Sequence, residues 1–337
     1  MNYLNNIPRP GWKQYGLAIV SLVSMAFSHC SSVKSGGGKS PAAYGHQRLL
    51  LRDEGISQLA YVDLKNPAEN WYVPLPVGRD MQLVGSGRVL VGTGTGYEEH
   101  DLATGKKVYA LTTYPGTIAA RRLRNGNTLL TGVNWQGKKG IVLVECDTAG
   151  IIQRLINFPA FDYVRLVRQT PSGNFLVTAN NFIFEGDQNG SIVWKALIGD
   201  AEKTHAWQAL RLANGQTIVS TGYAKKLEVF AADGTQVDTI TGPANVHPNF
   251  FAGFQVLSNG NYIVANWQGH GPAMGGNGVQ ILEYTPAGKL AWSWQQDATK
   301  FSSLHSVIVL DDLNTGLMHI EDANGVLAPV KNTAKAN

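Results

Sequence analysis

One tetrapeptide occurs twice in this sequence and combines an aromatic plane with two amide side chains. The copies are Asn134-Trp135-Gln136-Gly137 and Asn266-Trp267-Gln268-Gly269. An indole face beside amide donors and acceptors suits a sugar ring or a peptide, so the Asn, Trp and Gln residues of both copies are candidate ligand-binding residues. The structural alternative is that the tryptophans cover the edges of sheets while the amides cap turns.

A second set of candidates consists of arginine, histidine and aromatic side chains spread between residues 79 and 305. Histidines could ligate a metal or act as a general base, and arginines could hold a carboxylate or sulfate through paired hydrogen bonds. No short histidine spacing supports a metal, so none is expected; the alternative for all of them is ordinary hydrogen bonding and solvated charge. The members are Arg79, Arg121, Tyr163, Arg165, His205, Trp207, His247 and His305.

Residues so far apart share a site only if the fold brings distant segments together, and a repeat predicts such a fold. A glycine turn flanked by short apolar or β-branched runs recurs about every 40 to 45 residues. Glycine permits the positive φ that closes hairpins between twisted strands. The first series is Gly87, Gly126, Gly173, Gly215 and Gly260, and the second is Gly105, Gly150, Gly190, Gly234, Gly288 and Gly325.

Each repeat therefore predicts four antiparallel strands, which is the size of one β-propeller blade. A radial arrangement buries both faces of every blade and leaves only short edges. The innermost strands of such a ring line a central channel, and the second set of candidates lies where these strands should begin. The sequence thus predicts an all-β propeller over residues 46–332, followed by a disordered tail at 333–337.

The two ends of the domain decide the number of blades. Five complete units span about residues 79–295. Three strand candidates precede them and three follow: 48–53, 58–64 and 71–75, then 303–310, 317–322 and 326–330. Seven blades, with the ring closed by strands from both termini, is the preferred prediction because closure ties down a loose end. Six blades and a separate hairpin is the alternative.

The second turn series resembles a known repeat. Residues 100–109 (HDLATGKKVY) are similar to the repeat of quinoprotein-like propellers, the PQQ-repeat type, in which Asp precedes a Thr-Gly-Lys turn and an aromatic residue follows; 186–194 and 283–292 are weaker copies. The resemblance implies that the aromatic side chain docks between neighbouring blades. Quinone-dependent members often carry an adjacent cysteine pair and a calcium-binding acidic cluster, and neither is recognisable here. No cofactor is therefore expected.

The first thirty residues resemble an export signal rather than a buried helix. A basic start is followed by an apolar run at 17–27, which is too short for a lasting membrane span. Either a signal peptidase cuts near Ala26-Phe27-Ser28, or Cys30 is the acylated first residue of a bacterial lipoprotein. We favour the lipoprotein because a slack Ser/Gly-rich linker, residues 31–45, follows Cys30. Both interpretations predict the periplasm or the cell surface, and the lipoprotein interpretation adds a lipid anchor in the outer membrane.

The composition excludes several classes of protein. Of the 337 residues, 44% are hydrophobic, so the chain is not of the disordered class, and a formal charge of +4 is too small to capture nucleic acid. The only cysteine besides Cys30 is Cys146, in an apolar run, so no disulfide framework is available and Cys146 is expected to be a small buried side chain.

These features predict a monomeric, non-catalytic binding protein that contacts the membrane only through its anchor. Its ligand would be a polar small molecule, a glycan or a protein partner, held by the axial channel and the blade loops. The rival prediction is a propeller enzyme, such as a lyase, a lactonase or a sulfotransferase-like hydrolase, that uses the channel histidines with or without a metal. A passive structural module of a surface complex is the third.

Overall fold

The computed structural model describes residues 45–199, 205–242, 246 and 248–330. The predicted signal peptide, Cys30, the linker up to residue 44, His247 and the predicted tail lie outside the described residues. Apart from short 3₁₀ turns such as Pro67–Glu69, the regular structure is β-strand. Within the described ranges, no helix has the length and apolar character needed to cross a bilayer.

The strands form six four-stranded antiparallel sheets, the blades, and one hairpin. Blade 1 combines β1 (Arg48–Asp53), β2 (Gln58–Asp63) and β3 (Trp71–Pro74) with β24 (Leu304–Val309). Blade 2 contains β4 (Met81–Gly85), β5 (Arg88–Thr93), β6 (Gly96–Asp101) and β7 (Lys107–Leu111), and blade 3 contains β8 (Ala119–Arg122), β9 (Thr128–Val133), β10 (Ile141–Cys146) and β11 (Ile152–Phe158). Blade 4 contains β12 (Val167–Gln169), β13 (Phe175–Ala179), β14 (Phe182–Gly186) and β15 (Ile192–Leu197), and blade 5 contains β16 (Ala209–Arg211), β17 (Thr217–Ser220), β18 (Lys226–Phe230) and β19 (Gln236–Thr241). Blade 6 contains β20 (Phe251–Val256), β21 (Tyr262–Asn266), β22 (Ile281–Tyr284) and β23 (Leu290–Trp294), and the hairpin contains β25 (His319–Glu321) and β26 (Leu327–Pro329).

The preferred count of seven blades is wrong, and the alternative of six blades with a separate hairpin is correct. The three N-terminal strands need only one more strand to complete a blade. That strand is β24, which pairs with β1 so that Leu50 lies opposite Ile308. The two remaining strands, β25 and β26, pair with each other, because two strands are too few for another blade.

The predicted turns are confirmed. All eleven glycines of the two series have positive φ, from 65° at Gly87 to 89° at Gly126. An L-residue is strained in this region, so glycine is needed where each strand reverses. Ten of these turns join strands within blades, and the turn at Gly325 joins β25 to β26.

The core lies between neighbouring blades. Phe158 of blade 3 packs edge-on against Phe184 of blade 4, with ring centroids 5.1 Å apart. All six residues of β10 are buried, whereas the outermost strands β7, β11, β15 and β19 expose many side chains. Cys146 is 0% exposed, as predicted, and burial raises the pKa of its thiol to about 11. It is therefore an unreactive part of the core.

The aromatic side chains of the second turn series join neighbouring blades. Tyr109 of blade 2 donates a hydrogen bond of 2.7 Å to the carbonyl of Thr148 in blade 3. Trp194 of blade 4 lies under the guanidinium of Arg211 in blade 5, at 4.1 Å. Trp292 of blade 6 lies edge-on to the imidazole that precedes β1, at 4.8 Å. The inter-blade role predicted for these residues is confirmed.

Candidate functional site

The innermost strands of the six blades are β24, β4, β8, β12, β16 and β20, and residues of all six line a small axial cavity. Its volume is about 30 Å³, which leaves room for ~2 water molecules. The middle of the channel is therefore filled by side chains. We call the face where these strands begin the front face and the opposite face the rear face.

The hairpin β25–β26 lies across the rear end of the channel. Its Glu321 carboxylate accepts hydrogen bonds of 2.7 and 2.6 Å from Arg121 of blade 3 and one of 3.2 Å from Arg168 of blade 4. At the hairpin turn, the carbonyl of Ala323 accepts a hydrogen bond of 2.7 Å from Ala213 of blade 5. The rear end of the channel is therefore covered by the hairpin.

An ion-pair network lies just inside this cover. Arg168 donates two hydrogen bonds to Asp80, of 2.6 and 3.0 Å, and Arg121 lies 3.4 Å from the same carboxylate. Burial alone would raise the pKa of Glu321, but Arg121 and Arg168 outweigh it and lower that pKa to about 2. Arg121, a sequence-predicted candidate, is thus held by two carboxylates of the protein itself.

The front end of the channel gathers cationic and aromatic side chains from four blades. The guanidinium carbons of Arg79 and Arg165 lie 5.6 and 5.0 Å from the centre of the same Trp207 ring. Arg165 also lies 4.9 Å from the ring centre of Tyr163, and the His305 ring is 5.6 Å from Trp207. Five sequence-predicted residues therefore share one small region.

Several polar atoms in this region are buried and have no hydrogen-bond partner among the described residues. They are the Tyr163 hydroxyl, Arg165 Nε, His205 Nδ1, Trp207 Nε1 and both ring nitrogens of His305. A buried donor without an acceptor costs ~1–3 kcal/mol. Arg165 Nε and Trp207 Nε1 can only donate, the Tyr163 hydroxyl can do either, and a neutral histidine has one donor and one acceptor nitrogen, so donors outnumber acceptors.

The arginines at the front differ from Arg122 and Arg211, whereas the buried Arg52 hydrogen-bonds to backbone carbonyls. Arg122 pairs with a glutamate at 2.6 Å, and Arg211 pairs with another at 3.0 Å. Among the described residues, no carboxylate oxygen lies within 4.0 Å of a guanidinium nitrogen of Arg79 or Arg165. Within the described ranges, the positive charge of these two arginines is offset only at a distance, by Glu54, which acts to raise the pKa of Arg79.

The pKa shifts agree with a positive potential. Burial, and then the nearby Arg165, lower the pKa of Arg79 to about 10. Burial and the charges of Arg52, Arg79 and Arg165 hold the pKa of His305 well below 6.5, and burial and Arg165 lower that of His205. His305 is consequently neutral at pH 7.

An aromatic wall continues the site across blades 5 and 6. Tyr223 lies 5.4 Å from the His205 ring and 4.7 Å from Phe250. Phe250 in turn lies 5.1 Å from Trp267, and Trp267 lies 4.7 Å from His270. Trp267 of the second tetrapeptide therefore belongs to the front-face site, and its Nε1 is another buried donor that has no partner in the described ranges.

The first tetrapeptide has different surroundings. Trp135 donates a hydrogen bond of 2.8 Å to the carbonyl of Pro115 and packs with Tyr114 in the core between blades 2 and 3. Asn134 accepts a backbone hydrogen bond within its own loop, and Gln136 is exposed. The two copies therefore do not converge on one site.

The amides of the second tetrapeptide are occupied by the backbone. Asn266 Oδ1 accepts from the N–H groups of Asn249 and Phe250, at 2.8 and 3.2 Å. Gln268 Nε2 donates to the carbonyl of Asn266 at 2.9 Å. These side chains hold the loop that carries Trp267.

The outcome for the sequence-predicted residues is mixed. Arg121 lies in the rear network, and His247 lies outside the described residues. The sequence reasoning missed Tyr223 and Phe250, which carry no spacing signal, and it missed Asp80, Arg168 and Glu321, whose contacts span 88 and 153 residues. The residues that the structure brings together at the front are Arg79, Tyr163, Arg165, His205, Trp207, Trp267 and His305.

No group of three or more His, Cys, Asp or Glu side chains that could hold a metal ion lies within the described ranges. The donors at the front are guanidinium, hydroxyl, indole and imidazole groups. Such a set favours an anion over a cation.

No protein-family model and no curated protein matches the sequence. Solved structures do match. A protein of unknown function from Bacteroides caccae is 22% identical, with 78% of this chain and 98% of that chain covered and a TM-score of 0.61. A chain of a nidogen/laminin complex is 12% identical, with 77% and 97% covered and a TM-score of 0.55. A streptogramin B lyase is 11% identical, with 75% and 82% covered and a TM-score of 0.50. The chain is a β-propeller. At these identities the likeness extends to the fold alone.

Proposed function

We propose that this propeller binds an anionic, acceptor-rich ligand at the front end of its channel and does not catalyse a reaction. One observation carries the proposal: Arg79 and Arg165 lie against one indole, and no carboxylate among the described residues pairs with them. A carboxylate, sulfate or phosphate group would accept hydrogen bonds from both guanidinium groups.

The surplus of donors supports an anion over a neutral or cationic ligand. A cation would be repelled by the two arginines. The hydroxyls of a neutral sugar would supply acceptors but no charge. An oxyanion satisfies buried donors such as the Tyr163 hydroxyl and Trp207 Nε1 and also lowers the electrostatic energy of the arginines. An acidic sugar and an acidic side chain of a protein partner carry the same group and fall within the proposal.

The test is calorimetric titration with acetate, sulfate and inorganic phosphate. Arg165→Met should weaken the binding of the preferred anion by about tenfold or more, since a charged hydrogen bond contributes ~1.5–3 kcal/mol. Arg88→Met is the matched control, because the Arg88 side chain is 45% exposed on blade 2. Equal affinities for Arg165→Met and the unmodified protein, or no binding of any of the three anions, would reject the proposal.

One observation favours the enzyme as a second candidate. His305 is buried and neutral, its two ring nitrogens have no partner among the residues that the structure describes, and it lies near guanidinium groups that could stabilise a developing negative charge. If it is a general base, His305→Gln should retain anion binding and lose turnover of lactone or ester substrates. If the unmodified protein turns over no such substrate, this candidate fails.

We also propose that the chain is exported and anchored by a lipid on Cys30. The basic start, the short apolar run and the slack linker support this. Radiolabelled palmitate should be incorporated by the unmodified protein and by Cys146→Ser, but not by Cys30→Ser. Labelling of Cys30→Ser would contradict the anchor.

We infer further that β24 closes the ring and that the chain is related to the quinoprotein-like propellers. The β1–β24 pairing, which runs from Leu49 opposite Val309 to Asp53 opposite Leu304, supports closure. The similarity of residues 100–109, which span the turn after β6, to the quinoprotein-like repeat supports this relationship.

A further inference from the structure

A cavity of about 180 Å³ opens beside the proposed anion site and carries both charged and apolar side chains. An apolar cavity of ~150 Å³ is large enough for one benzene molecule. The space beside the arginine therefore accommodates a group of that size. Its lining includes Arg79 and His305 together with the apolar residues Leu75, Pro76, Val77 and Ile118.

The apolar residues of the lining are followed in the sequence by a charged residue of the same lining. Leu75, Pro76 and Val77 precede Arg79 by a few residues, and Val77 is 80% exposed at the opening. A single exposed valine is ordinary, but this one continues an apolar strip that leads into a cavity. A ligand whose anion reaches Arg79 would therefore lay its remaining part along this strip.

The strip is held in place by the blades. The Arg52 guanidinium donates hydrogen bonds of 2.8 Å to the carbonyls of Asp80 and Gly92 and a longer one to Pro76. Gly78 lies so close to β5 that a Cβ there would be 2.4 Å from the Gly92 carbonyl oxygen. The cavity is thus preformed, which reduces the entropy cost of binding.

We propose that the ligand is an amphiphilic organic acid, with its oxyanion on Arg79 and Arg165 and an apolar group of about benzene size in this cavity. This inference rests on the proposed function. Leu75 and Ile118 cannot hydrogen-bond the hydroxyl groups of a hydroxylated ring, so hydroxyls placed against them rather than against Ser57 or Thr117 cost free energy. Glu54 also lines the cavity and would repel a second carboxylate on the apolar part.

The experiment compares phenylacetate, acetate and glucuronate by calorimetric titration of the protein. Phenylacetate should bind about tenfold or more tightly than the other two, because only its ring buries apolar surface. Val77→Ser should weaken phenylacetate binding by about threefold and leave acetate unchanged. Val108→Ser is the matched control, since Val108 is an exposed valine on the outer strand of blade 2, and it should change neither affinity.

The outcomes separate this inference from the proposed function. Equal affinities for phenylacetate and acetate, or an unchanged preference in Val77→Ser, overturn the inference and leave anion binding intact. If glucuronate binds as tightly as phenylacetate, the apolar cavity is not the ligand site, and the inference is also overturned. If none of the three acids binds, and sulfate and phosphate do not bind either, the proposed function itself fails.

Discussion

Two guanidinium groups lie near the indole of Trp207, and the stability of this arrangement depends on the charges around them. Each cation–π contact contributes ~0.5–2 kcal/mol. The like charges repel, however, and partial burial removes much of the hydration of Arg79 and Arg165. Pairing each arginine with a carboxylate, as at Arg122, would be the more stabilising solution. Binding sites often sacrifice stability in this way.

His305 should make the free energy of unfolding depend on pH. Its pKa in the folded protein lies well below 6.5, so well above pH 6.5 it is neutral in both states and has no effect. As pH falls below 6.5, the unfolded chain binds a proton that the folded chain resists, and stability declines. Urea denaturation between pH 7.5 and 5 should show a smaller decline for His305→Gln. An identical pH dependence in both proteins would contradict the buried neutral state.

The tetrapeptide tryptophans should differ in what their indole nitrogens contribute. Trp135 Nε1 donates to the Pro115 carbonyl, whereas Trp267 Nε1 has no partner in the part of the chain that the structure describes. Trp135→Phe should therefore reduce the free energy of unfolding by ~1 kcal/mol more than Trp267→Phe does. Each variant is the control for the other, because both remove the same ring area. Equal losses in urea denaturation would show that the hydrogen bond is not what distinguishes them.

Among the elements, the hairpin β25–β26 makes the two ends of the channel different, because it covers the rear end. Its Gly325 turn was predictable, because an Asn-Gly pair closes hairpins. Its location was not, because Glu321 reaches Arg121 and Arg168 across intervening sequences of 200 and 153 residues. Local spacing carries no information about such contacts.

Removing the Glu321 charge should destabilise the hairpin and the protein. Glu321→Gln leaves Arg121 and Arg168 with one carboxylate less, and breaking a buried pair costs ~3–5 kcal/mol. Because the pKa of Glu321 is lowered to about 2, its ion pairs stabilise the folded protein above the ordinary pKa of 4.5. This stabilisation is lost as pH falls from 4.5 towards 2. Thermal unfolding should show a lower midpoint at pH 7 and a shallower loss of stability in acid than in the unmodified protein.

The control for this experiment is Asp322→Asn. Asp322 neighbours Glu321 but caps the hairpin turn, where its carboxylate accepts from backbone N–H groups. It should cost less stability than Glu321→Gln does. A larger loss for Asp322→Asn would mean that the turn, and not the ion pairs, holds the hairpin.

At the scale of the whole molecule, blade 1 joins the two ends of the described chain. Its inner strand β24 is C-terminal, and its other three strands are N-terminal. Without β24, the strand β1 would present an unpaired edge next to the axis. The pairing should therefore matter to every blade and not only to blade 1.

Truncation separates the contributions of β24 and the hairpin. A chain that ends at residue 330 should unfold like the full chain. A chain that ends at residue 312 keeps β24, loses the hairpin and should unfold at a lower temperature but still cooperatively. A chain that ends at residue 303 should lose the cooperative transition in calorimetry. Cooperative unfolding of the shortest chain near the temperature of the longest would contradict closure by β24.

The sequence by itself determined the local features of this protein. Turn glycines, strand runs and the buried Cys146 follow from interactions within a few residues or from side-chain polarity, whereas the aromatic residues between blades were expected from the resemblance to quinoprotein-like repeats. The order of the strands along the chain also placed most of the front-face residues at the starts of inner strands, because a repeat of four strands puts its first strand innermost.

Tertiary contacts determine the number of blades, the position of the hairpin over the rear end of the channel and the different surroundings of two identical tetrapeptides. Trp135 and Trp267 have the same immediate neighbours in sequence, yet one packs between blades and the other lies in the aromatic wall. The physical reason is that strand pairing and ion pairing between distant segments depend on the free energy of the whole propeller, which local sequence does not specify. Six blades with a hairpin that neutralises buried arginines is the arrangement in which β24, β25 and β26 all find partners.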